Sequence, residues 1–76
     1  LANRMAIAYD EDSRRLAAMK DETELLMTDL ENSYYIDSKI KGMIGALLDK
    51  QDSINAELEE NVEAMKFRLE EMGVAV

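Results

Sequence analysis

Asn32-Ser33-Tyr34-Tyr35-Ile36-Asp37-Ser38 lies at the middle of the chain, and its reading decides the fold. Read as a turn, it divides the 76 residues into two helices of nearly equal length. Read as helix, it carries one rod from end to end. Asp37 or Ser38 favours the turn, because either side-chain oxygen can accept a backbone N–H left free at a helix start. Tyr-Tyr-Ile opposes it, being a poor turn composition.

A heptad runs outward from this stretch in both directions. Alternate steps of four and three pass through Met5, Tyr9, Leu16, Met19, Leu26, Leu30, Ile40, Ile44, Leu47, Ile54 and Leu58. Only Asp12, Thr23, Ser33, Asp37 and Gln51 interrupt the apolar series. A spacing of 3.5 residues keeps one seam facing a partner helix, whereas a strand needs a period of two. Beyond Leu58 the same frame would meet Asn61 and Arg68. An extra step of four instead reaches Val62, Met65, Leu69 and Met72, which reads as a stutter that locally unwinds a supercoil.

Because the frame crosses residues 32–38 unbroken, the expected fold is all-α: one long amphipathic coiled-coil helix that oligomerises through this seam. A helix from 3 to 72 would be about 105 Å long. The alternative is an antiparallel helical hairpin packing into a four-helix bundle. A wide apolar face argues for three or four helices, since positions flanking the seam include Met27, Tyr34, Ile36, Met43 and Leu48. A second position for a turn is Lys39-Ile40-Lys41-Gly42, where lysines would suit a helix C-terminus and Gly42 a left-handed residue after it. Polar seam residues such as Asp12, Ser33, Asp37 and Gln51 cost stability and can fix register and oligomer state.

At the far end, Gly73 between Met72 and Val74 is a helix stop of Schellman type. At the front, Asn3 is the candidate cap. The chain opens on Leu1 and closes on Val74-Ala75-Val76. Residues 1–76 therefore read as a single helical segment cut from a larger protein, with 73–76 starting a following element.

Composition narrows the chemistry. Without Cys, no disulfide or thiolate metal site can staple so short a chain, whose core alone is marginal. Without His, the imidazole bases and the metal sites built on them are gone too. Asp49 to Glu60 imitates the oxygen spacing of a calcium loop, but Ile54 stands where the sharp turn requires Gly; Asp10 to Asp21 fails the same way at Arg15. Gly42-Met43-Ile44-Gly45 has the spacing of an RNA-backbone clamp in acidic, helical surroundings that do not suit one. No catalytic, cofactor-binding or metal-binding residue is expected, and no enzymatic activity.

A net charge of −8 works against nucleic acid and anionic membranes as partners. No apolar run reaches the roughly 18 residues that span a bilayer. No targeting signal stands in the segment, and the compartment is undetermined. The expected partner is a second copy or another helical protein. The expected function is oligomerisation, a scaffold that joins or spaces domains by helix–helix association. Two alternatives stand beside it: a module docking onto a different protein, and a helix transmitting a signal between domains.

Overall fold

In a computed structural model, which describes residues 2–76, the regular structure is two α-helices, α1 (Ala2–Glu31) and α2 (Ser38–Glu71). They pack against each other and run antiparallel. Lys20 meets Glu59, Thr23 meets Asn55 and Leu30 meets Gly45, so numbers rise on one helix as they fall on the other. The molecule measures 53 × 15 × 14 Å, half the length of the rod. The expected single long helix is thus corrected to the hairpin.

The break falls at residues 32–37. There Asp37 takes the extended cap geometry, and its carboxylate accepts the Lys39 N–H at 2.7 Å. The Asp37 carbonyl then accepts the first helical bond, from Lys41 N–H at 2.8 Å. On the α1 side, the N–H groups of Asn32 and Ser33 bond the carbonyls of Thr28 and Leu30 and so close the last turn. Gly42 lies inside α2, which removes the second turn position: lysines 39 and 41 occupy the start of a helix, not the end of one. α1 is already helical at Ala2, so Asn3 sits within its first turn and not ahead of it, while Leu1 lies outside the described residues.

The C-terminal stop is a complete Schellman motif. Gly73 has φ +79°, Val74 N–H bonds Leu69 carbonyl at 2.9 Å, and Gly73 N–H bonds Glu70 carbonyl at 3.0 Å. Val74 is half-buried and Leu69 completely so, the two positions at which the motif favours apolar side chains. Residues 74–76 follow without regular structure.

The core is a thin line between the helices. Leu16 on α1 and Leu48, Val62 and Leu69 on α2 are its buried apolar side chains. Thr23 and Asn55 stand opposite each other at its centre, both 3% exposed. Stepping one heptad either way brings Leu16 level with Val62 and Leu30 level with Leu48.

Candidate interaction surface

The seam expected from sequence divides in two. On α1 every frame position but Leu26 lies against α2 or at its edge: Leu16 and Thr23 are buried, Met5, Tyr9, Asp12, Met19 and Leu30 are half-buried, and Leu26 is exposed. On α2 it is displaced by one residue at every second position. Leu48 is buried while Leu47 is 65% exposed, Asn55 while Ile54 is 52% exposed, and Val62 while Asn61 is exposed. The residues that face α1 are Ile44, Leu48, Gln51, Asn55, Leu58, Val62, Met65 and Leu69, in unbroken steps of four and three. No stutter exists near residue 60. The extra step belongs to the turn, where the chain reverses and the register restarts.

Ile40, Leu47, Ile54 and Met72 are consequently left outside the two-helix core, as is Leu26 on α1. Their placement is one-sided. On one face of the hairpin an open groove is lined by Met19, Glu22, Leu26, Leu47 and Gln51, and it continues past Leu30, Ile36 and Ile44 toward the turn. The opposite face carries Lys20, Glu24, Asp52 and Glu59, then Glu31 and Asp49 nearer the turn. There Lys20 Nζ reaches Glu59 Oε1 at 3.2 Å, the ion pair that joins the two helices among the described residues. With both side chains half exposed, it contributes at most about 1 kcal/mol. The hairpin therefore has one acidic, solvated side, and on the other an open groove that is mainly apolar, with Glu22 and Asp29 among its lining.

A chain of side-chain hydrogen bonds connects the core to the groove. Gln51 Nε2 donates to Asn55 Oδ1 at 2.9 Å, Asn55 Nδ2 donates to Thr23 Oγ1 at 3.3 Å, and Thr23 Oγ1 donates to Met19 carbonyl at 2.8 Å. The sequence marked Thr23 and Gln51 as polar interruptions and missed Asn55, which lies one residue off the frame read there. Its signal was available: Gln51 and Asn55 stand four apart, and Asn55 keeps step with Val62 and Leu69. Ser13 Oγ is shut away from solvent without a partner among the described residues.

The turn presents a second exposed feature. Tyr34 and Tyr35 are 93% and 100% exposed, and Met43 and Ile40 project nearby on the first turns of α2. Among the described residues no cluster of carboxylates gathers where a metal ion could sit, and no helix is long and apolar enough to cross a membrane.

Comparison with known proteins returns no match to a family model, a curated protein or a solved structure.

Proposed function

We propose that this chain is an oligomerisation module: the hairpin pairs through its apolar face with a second copy, completes a four-helix bundle, and so joins or spaces the parts of a larger protein. One observation carries this reading, the groove of Met19, Leu26, Ile44 and Leu47 lying open on one face while the acids crowd the other. Burying a Leu or Ile side chain is worth about 1.5–3 kcal/mol. A two-helix hairpin that leaves such side chains in water forgoes most of its attainable stability, and two- or three-element units this small need a staple or a partner. The acidic face is ill suited to docking, because covering it would strip water from carboxylates that outnumber the cation Lys20 beside them. On this reading the chain's task is structural and no residue has a catalytic role.

The test substitutes the exposed groove residues with charge. In an isolated hairpin, Leu47→Glu and Ile54→Glu would be close to neutral, since both positions face water. In the bundle they place carboxylates in the covered core. Light scattering should give a two-chain mass for the parent and a one-chain mass for either variant. A parent and variants of equal mass would defeat the reading.

A second reading has its own observation, the bare Tyr34–Tyr35 tip. Tyrosines supply large contact area at low entropy cost and serve as anchors at interfaces. A different protein can be gripped there without disturbing the bundle. Tyr34→Ala and Tyr35→Ala should then leave mass unchanged and stability within about 0.5 kcal/mol. A larger loss of stability would make the tyrosines part of the fold and remove them as a free docking tip.

A further inference from the structure

The rim of the apolar face carries charges of opposite sign at its two ends. Glu22 and Asp29 line the groove on α1, one heptad apart. Arg15 stands one heptad before Glu22, on the same edge toward the open end of the hairpin. It is held there by Asp12, whose Oδ1 lies 3.4 Å from Arg15 Nη1. On α2 the corresponding edge runs Ile40, Leu47, Ile54, Asn61 and Arg68, each a heptad on from the last. The apolar face is thus rimmed by cations at its open end and by anions toward its turn. Within one hairpin, Glu22, Asp29 and Arg68 take part in no ion pair among the described residues.

Resting on the self-association proposed above, we infer that the two copies lie antiparallel, the turn of one over the open end of the other, with Arg15 of each copy paired to Glu22 of its mate. A two-fold axis across the helices lays α1 on its mate's α1. Placed midway between Arg15 and Glu22, beside Met19, the axis makes the Arg–Glu pair twice by symmetry. It also brings Ile54 level with the second copy's Met65, and Leu47 level with the second copy's Met72, so apolar side chains cover one another. The competing arrangement puts both turns at the same end and lays α1 on the mate's α2. The register set by Thr23 and Asn55 then brings Glu22 within two residues of the level of Ile54, Asp29 within two of Leu47, and Arg15 within two of Asn61. That covers Glu22 without the cation that the antiparallel pairing gives it, which disfavours it.

The experiment combines charge reversal with a cross-link, followed by sedimentation of the full chain. Arg15→Glu and Glu22→Arg should each weaken association about tenfold, and the double variant should restore it, because two like-charged contacts replace two attractive ones and then revert. The chain has no cysteine, so Met19→Cys supplies a single thiol next to the axis; in buffered oxidised glutathione it should form a disulfide with its own counterpart. Circular dichroism checks that each variant keeps its helix. If Arg15→Glu tightens or does not alter association, or if Met19→Cys cross-links only when mixed with a Leu58→Cys chain, the antiparallel orientation is wrong while self-association stands. A parent chain that sediments as a monomer overturns both.

Discussion

Asn55 shows how a single polar side chain can hold a thin core in place. Its amide donates to Thr23 and accepts from Gln51, so neither partner can move without losing a buried hydrogen bond. Asn55→Ala should cost about 1–3 kcal/mol, because it leaves a cavity and strips Gln51 and Thr23 of a partner. The triple variant Thr23→Val, Gln51→Leu, Asn55→Leu removes the donors and acceptors of the layer together and should be neutral or stabilising. It should also weaken the preference for one register, the usual role of a lone polar residue in a helical seam. Urea unfolding measures the first effect, and heterogeneity of mass measures the second. A neutral Asn55→Ala would mean that the hydrogen-bonded layer contributes nothing.

At the scale of the elements, the glycines make opposite predictions. Gly42 lies within α2 with open space around the position of a Cβ, so Gly42→Ala should stabilise by about 0.5–1 kcal/mol. Gly73 sits at φ +79°, where a side chain is strained, so Gly73→Ala should destabilise by about 1–2 kcal/mol. Thermal melts that rank the two variants the other way would contradict the assigned helix ends. The C-terminal stop was legible because Gly73 and Val74 are the residues that a Schellman motif needs. The central turn was not, and its end signals are reversed. Asp29 and Glu31 stand in the last turn of α1, where the helix dipole favours cations, and Lys39 and Lys41 stand at the start of α2, where it favours anions. Tyr34, Tyr35 and Ile36 are not turn formers either. Asp37 and Ser38 alone spoke for the turn, and Asp37 is the residue that caps α2. A second clue is the step of four at Leu58–Val62, after which the frame carried over from α1 coincides with the one that α2 keeps. Followed backward from Leu69, that later series runs through Val62, Leu58, Asn55, Gln51 and Leu48 to Ile44 without a fault.

For the whole molecule, the composition announced helices that need cover, and the hairpin supplies only part of it. Leu26, Leu47 and Ile54 were legible as seam residues, yet no sequence pattern could say that α1 packs on α2 and that these three stay outside that contact. That distinction depends on which residues the reversal at 32–37 turns inward. The charged rim follows the same logic: Arg15, Glu22 and Asp29 gain meaning only once the groove beside them is known to be open. Sedimentation equilibrium of the 76-residue chain at tens of micromolar tests this most directly. The expected species is helical, has twice the 8.6 kDa chain mass, and dissociates on dilution with loss of helix. A fully helical 8.6 kDa monomer, stable at every concentration with its apolar groove in water, would contradict it.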